Sequence, residues 1–398
     1  MIQPGQTPTD LAWILNHLGE DRDQYFGAVT PPILQTSNFA FPSVAKMREL
    51  VRDEYANHFY SRGNNPTVEI LRRKLAALEG TEDALVFASG AGAMAAAVLS
   101  FVRQGDEVLS SARPYSWTRI LLRDWLPRFG IGIRFIEGGQ PGDFAAAFSE
   151  RTRLVLLESP NSMTFEQQEV SAIAALARAR GVLSLVDNSY ASPLLQRPAA
   201  LGADLVMHSA TKYLNGHSDV VAGVLCGSEA LLRQVFQGPY MTIGAIAAPF
   251  DAWLLLRGLR TLEVRMERIV RSTAVVLEWL RTQPQVERLY VPEAVAGDGG
   301  LQSHSGLFSA VLRAPDQYAV ERFCNALQRF LMAVSWGGHE SLIFPFACLL
   351  DPDGPGRTLG GLPFNLVRFS IGLEDPQVLI TDLARGFAAL PSDQPLPG

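Results

Sequence analysis

His208-Ser209-Ala210-Thr211-Lys212-Tyr213 is the stretch on which the reading of this chain turns. An apolar run, 205–207, leads into it, and two hydroxyl residues then stand just ahead of a single lysine. Taken alone, such a string is a strand end with a solvated lysine, and short motifs of this kind match by chance. Its neighbours change that. Upstream, Leu185-Val186-Asp187-Asn188 ends another apolar run in a carboxylate. A carboxylate emerging from an apolar strand has to be paired or hydrated.

Working outward, short apolar runs alternate with helical patterns. The run 85–87 precedes an Ala-rich helix, 107–109 a helix near 117–129, and 154–157 a helix over 171–180. Strands over 182–186, 205–207 and 220–226 follow. This alternation predicts an α/β fold, a mostly parallel sheet with helices on both faces. Before it, Ser43 caps a helix over 43–51 after the rigid break Thr30-Pro31-Pro32. Ile70, Leu71, Leu75 and Leu78 recur at helical spacing over 67–79, and Gly80 closes that helix. A long helix starts near Pro249. Beyond about residue 260 the pattern becomes α+β. Helices are expected over 264–280, 318–330 and 376–390, and strands over 286–291, 307–312, 331–334 and 366–371. Residues 351–361 form a Pro/Gly-rich loop. The organisation expected is an arm (1–55), a large cofactor domain (56–258) and a smaller C-terminal domain (259–398).

Composition narrows the class. The 398 residues are 47% hydrophobic and 19% charged, with a net charge of -6 and no basic run, so nucleic acid is not an expected partner. The three cysteines form no CxxC pair, which argues against a disulfide framework or zinc knuckle and fits a reducing compartment. His208 and His217, nine positions apart, match no common metal site. The start lacks a signal-peptide pattern, and a cytoplasmic location is expected. Residues 84–102 carry no charge, yet Ser89, Gly90 and Gly92 interrupt them. They read as strand, turn and buried helix, so no membrane association is expected.

The lysine and aspartate suit a pyridoxal 5'-phosphate (PLP) enzyme. A lysine amine can form a Schiff base with the cofactor aldehyde, and an aspartate can keep the pyridinium nitrogen protonated. Ser89-Gly90-Ala91 follows a strand and opens a helix, where backbone N–H groups can cradle phosphate. No GxGxxG follows, so this is not a dinucleotide fingerprint. Tyr115 can stack on a flat heterocycle or serve as core. Tyr60-Ser61-Arg62 lies in a polar loop, where an arginine suits an anion. Arg368 sits in the apolar run 366–371 and needs an anion, either a substrate carboxylate or a structural salt bridge. Trp336, before Gly337-Gly338, walls a pocket or packs in the core.

Together these residues resemble the transsulfuration group of Cys/Met-metabolism PLP enzymes, over nearly the whole chain. The likeness runs from Gly27-Ala28-Val29-Thr30-Pro31-Pro32 through Tyr60-Ser61-Arg62-Gly63-Asn64-Asn65-Pro66-Thr67 and Ser209-Ala210-Thr211-Lys212-Tyr213 to Arg368-Phe369-Ser370-Ile371-Gly372. Leu157-Glu158-Ser159-Pro160, Gly216-His217-Ser218-Asp219, Gly258-Leu259-Arg260-Thr261-Leu262 and Ser335-Trp336-Gly337-Gly338 look most like the cystathionine β-lyase branch.

The resemblance implies the aspartate-aminotransferase-like fold, PLP-dependent transferase fold type I, with a seven-stranded sheet. It implies that Lys212 carries the cofactor and shuttles protons, that Asp187 pairs with the ring nitrogen, and that Tyr115 stacks on the ring and helps the leaving group depart. Gly90, Ala91, Ser209 and Thr211 would bind the phosphate, joined by Tyr60 and Arg62 of a neighbouring subunit in a homotetramer, a dimer of dimers. Ser335 and Arg368 would hold the substrate carboxylate, with Trp336 and Tyr240 lining the site. The implied reaction is α,β-elimination on cystathionine or a related S-substituted cysteine, giving a thiol, pyruvate and ammonia. The γ-acting reactions of the family (cystathionine γ-synthase and γ-lyase, methionine γ-lyase, O-acylhomoserine sulfhydrylase) use the same residues. A PLP-binding protein without turnover is the reading outside enzymes. Two positions depart from the family: its Ser-Gly-Met phosphate turn reads Ser89-Gly90-Ala91 here, and Val334 stands where cystathionine-handling relatives carry glutamate or tyrosine.

Overall fold

The computed structural model describes residues 10–350 and 358–390. Residues 1–9 and 391–398 lie outside the described residues, as does 351–357 of the expected loop. Seven strands form the main sheet: β1 (Asp83–Phe87), β2 (Glu107–Ser111), β3 (Gly132–Ile136), β4 (Thr152–Glu158), β5 (Leu183–Asp187), β6 (Leu205–Ser209) and β7 (Gly223–Gly227). Their order is β1-β7-β6-β5-β4-β2-β3, parallel except for β7, which runs antiparallel to both its neighbours.

Side chains alternate across a strand, and here each alternation feeds a different core. Ala84 and Val86 pack with the helices Pro66–Glu79 and Pro249–Leu259, while Leu85 and Phe87 pack with the helix Gly90–Phe101. Both faces are therefore covered, which is why these strands read as continuous apolar runs. The N-cap hydroxyls of the expected helices are in place: Ser43 accepts from the Lys46 N–H at 3.1 Å and Ser89 from the Gly92 N–H at 3.0 Å.

The second sheet is built from β8 (Val286–Tyr290), β9 (Leu307–Leu312), β10 (Leu331–Met332), β11 (Leu342–Pro345) and, after a short ribbon of β12 (Thr358–Leu359) and β13 (Leu362–Pro363), β14 (Leu366–Ser370). Its order is β10-β11-β14-β9-β8. The helices Leu262–Arg281, Gln317–Ala326 and Pro376–Ala388 cover it with Phe308, Phe323, Phe369 and Phe387 between them. The ribbon takes up the end of the expected 351–361 loop.

Two expected helices are corrected. The helix near 117–129 is three short pieces, Ser116–Ile120, a π turn over Leu121–Trp125 and a 3-10 turn over Leu126–Phe129. Pro127 has no N–H to continue an α ladder, and Gly130 ends the segment at φ 71°. The helix over 318–330 stops at Ala326. The buried carboxylate of Asp382 draws off the next backbone donors, accepting from the N–H groups of Gln328 at 2.9 Å, Arg329 at 2.7 Å and Phe330 at 3.3 Å.

Candidate active site

The carboxyl ends of parallel strands are where open α/β sheets bind ligands. Here β4, β5 and β6 end in Glu158, Asp187 and Ser209. The turn after β6 carries Lys212, held by its N–H to the Ser209 carbonyl at 3.1 Å and by the Gly216 N–H to its own carbonyl at 2.8 Å. The next residue anchors this turn from behind. Tyr213 is fully buried, its hydroxyl bonds Ser305 at 3.1 Å, and its carbonyl accepts from Arg265 at 2.9 Å.

The C-terminal sheet closes over the lysine. Gly337, at φ 83°, passes so near that a Cβ would stand 3.2 Å from Lys212 Cα. Ser335, itself in the left-handed region at φ 77°, thereby presents its hydroxyl to Lys212 Nζ at 2.5 Å. The indole of Trp336 lies 5.2 Å from the same nitrogen and 5.4 Å from the Tyr213 ring. Burial, reinforced by the charge of Arg368 and opposed by Asp187, lowers the Lys212 amine to about 8. A neutral amine, the nucleophilic form, is thus within reach near neutral pH.

Asp187 is buried, and burial raises its pKa, while Ser189 favours the charged form through its N–H at 3.0 Å and its hydroxyl at 2.6 Å. Arg368 stands in mid-strand on β14 opposite Phe344 and Ser309. It donates to the Ser162 carbonyl at 3.1 Å and has no carboxylate within ion-pair distance among the described residues. The structural salt bridge is therefore not what occupies it. Burial lowers it to about 10, against the pull of Tyr115 and Glu158. Burial also raises the Tyr115 phenol, which keeps its proton.

The glycine turn meets β6 closely. A Cβ on Gly90 would stand 3.0 Å from Ser209 Cβ, and one on Gly223 only 2.2 Å from the Ser89 carbonyl oxygen. The 12-residue helix that starts here has free N–H groups in its first turn, and a Cβ on Gly90 would stand 3.2 Å from the Ser209 hydroxyl oxygen. Ala91 is exposed at that start. The Thr211 hydroxyl is engaged by the Ala222 backbone, donating at 3.2 Å and accepting at 3.0 Å. A phosphate group fits this cradle, and a lysine amine, a buried carboxylate and a guanidinium with no carboxylate partner among the described residues fit the rest of PLP bound to an amino acid.

Tyr60 and Arg62 are exposed, with the guanidinium 5.5 Å over the phenol ring. Their loop is tied down by Ser61, whose hydroxyl donates to the Thr36 carbonyl at 2.5 Å. Tyr240 does not line the site. Its ring packs on Phe87 and Phe236 and its hydroxyl donates to the Val86 carbonyl at 3.3 Å, so it is a core side chain. Glu158 and Ser189 join the site without a motif of their own, though Glu158 ends an apolar strand just as Asp187 does.

A family model described as Cys/Met metabolism PLP-dependent enzyme matches residues 14–388. The chain is similar to the L-methionine gamma-lyase of Pseudomonas putida, 38% identical over 94% of this chain and 96% of that protein. It is 37% identical to the cystathionine gamma-synthase of Escherichia coli K12, over 93% and 96%. It is 35% identical to the cystathionine beta-lyase of Lactococcus lactis subsp. cremoris, over 92% and 96%. The crystal structure of metB from Corynebacterium glutamicum superposes with a TM-score of 0.85 at 28% identity, over 96% of this chain and 98% of that one.

Proposed function

The chain belongs to the family of Cys/Met metabolism PLP-dependent enzymes, and from that premise we propose that it cleaves cystathionine or a related S-substituted cysteine by α,β-elimination. The products are a thiol, pyruvate and ammonia. When bound, PLP withdraws electrons from the amino acid's α-carbon.

The chain's own residues do the rest. Lys212 holds the cofactor and moves the proton from Cα. Asp187 faces the ring nitrogen. Gly90, Ala91 and Ser209 hold the phosphate, with Thr211 joining if its hydroxyl turns from Ala222. Arg368 and Ser335 take the substrate carboxylate, and Trp336 forms an apolar wall. Tyr60 and Arg62 complete the phosphate site of a second copy within a homotetramer. The working division is an arm (1–55), a cofactor domain (56–258) and a C-terminal domain (259–398). Among the described residues no helix is long and apolar enough to cross a membrane.

The observation that carries the reading is the placing of Lys212 against the Ser335-Trp336 pair that resembles the β-lyase branch, its amine 2.5 Å from the Ser335 hydroxyl and 5.2 Å from the Trp336 ring. β-Elimination needs one base at Cα and one acid for the departing sulfur. A γ-reaction needs a further proton transfer at Cβ. The γ reading is kept because γ- and β-acting relatives are almost equally similar to this chain, at 38%, 37% and 35% identity.

Val334, exposed beside Ser335, has no oxygen to offer a distal ammonium, unlike the glutamate or tyrosine of cystathionine-handling relatives. Less polar S-substituted cysteines are therefore expected to compete with cystathionine. Identification of the keto acid tests the proposal. Pyruvate from cystathionine supports it. Mainly 2-oxobutyrate, or turnover only with an acylated homoserine and a nucleophile, moves the chain to the γ branch.

A further inference from the structure

Glu158 ends β4 directly beside Asp187 at the end of β5. Neighbours in register on parallel strands point to the same face of the sheet, so both carboxyls stand on the site's side. Glu158 is 5% exposed and makes no ion pair among the described residues. Its two oxygens accept instead from two backbone donors far apart in sequence, the N–H of Tyr115 and, at 3.0 Å, the N–H of Ser162. The Ser162 carbonyl in turn accepts from Arg368 at 3.1 Å. One carboxyl thus joins the segment carrying the phenol to the turn on which the arginine rests.

We propose that Glu158 is a positioning residue that ties the Tyr115 and Ser162 backbones to the end of β4, and so sets the spacing between the ring-facing phenol and the arginine that holds the amino acid's carboxylate. The proposal rests on the roles given above to Tyr115 and Arg368. Burial, and the charge of Asp187 beside it, raise the Glu158 carboxyl to about 8. The N–H groups of Tyr115 and Ser162 pull the other way and favour the charged form.

The test uses the PLP-loaded protein with Glu158→Gln, Arg368→Lys and the two combined. Glutamine keeps the volume but turns an N–H group toward one of the two backbone donors. The readouts are affinity for glycine, which has the amine and carboxylate but no side chain to lose, followed by cofactor absorbance, and affinity for PLP itself. Glu158→Gln should weaken glycine roughly tenfold, the scale for leaving one buried donor unpaired. In the Arg368→Lys background the loss should shrink below about threefold, because residues acting through one another are not additive. If Glu158→Gln does not fold, Glu158→Asp, which withdraws both acceptors, is read in the same cycle.

A variant that melts lower yet keeps wild-type affinity for glycine and PLP overturns the proposal, as does full additivity with an Arg368→Lys variant that itself binds glycine weakly. If Arg368→Lys alone leaves glycine binding unchanged, the assignment of Arg368 fails first and this inference falls with it.

Discussion

Lys212 shows how a single side chain can be costly to the fold and still be kept. Its amine has an ordinary value of 10.5 and is lowered to about 8 by burial and by Arg368. Between those values the unfolded chain binds the extra proton, so stability rises with pH from about 8 to 10.5. Below 8 both forms are charged, and the whole cost of burying the cation stands. At 1.36 kcal/mol per unit the cost reaches up to about 3 kcal/mol. Lys212→Met, similar in length and uncharged, should raise the melting temperature of the cofactor-free protein at pH 7. The gain should fade as pH approaches 10.5, while turnover is lost. An equal or lower melting temperature at pH 7 would show that the contacts to Ser335 and Trp336 outweigh the desolvation. This residue was legible from its motif, as was Asp187. Glu158 carried the same signal and was passed over, because its partners are backbone groups 43 and 4 positions away, which no local pattern announces. Tyr240 failed in the opposite sense, since an aromatic near a site and an aromatic beneath it look alike in sequence.

At the scale of elements, the phosphate cradle depends on a strand that contributes no side chain to it. Gly223 starts β7 against the Ser89 carbonyl, where a Cβ would meet backbone at 2.2 Å. Gly223→Ala must push the Ser89-Gly90 turn away from Ser209. PLP affinity should fall about tenfold or more and the protein should lose on the order of 1–3 kcal/mol, the usual cost of overpacking. Equilibrium dialysis and thermal melts check both, and wild-type PLP affinity would show that the turn yields without harm. Central strands and capped helices were readable because burial on two faces makes continuous apolar runs. β3 escaped notice: it is an edge strand with Arg134 exposed and glycine at its start. The helix Glu229–Val235 had a serine N-cap signal at Ser228 that went unused. The break at Pro127 was visible in composition, but the π turn before it depends on packing.

For the whole molecule the open question is whether one chain makes a complete site. Arg62 and Tyr60 are exposed and so open to a neighbouring copy. A second copy would supply what the first lacks, and symmetry would then repeat the shared site at each interface. Mixing Arg62→Ala with Lys212→Ala subunits under exchange should restore activity to about a quarter of wild type, since half of random pairs are mixed and each mixed pair has one intact site. Mixtures that stay inactive despite proven exchange would place the whole site within one chain.

The position of β7 also sets an order in time. Asp83 on β1 pairs with Gly227 on β7, so the main sheet's edge strand waits for a partner made long after it. A chain emerging from the ribosome already carries the Gly90 turn, but neither Ser209 nor Gly223 to close it. Contacts so distant in sequence form late and slowly. From the making of that helix until β7 follows, this protein has the helix that should greet a phosphate and no pocket in which to keep one.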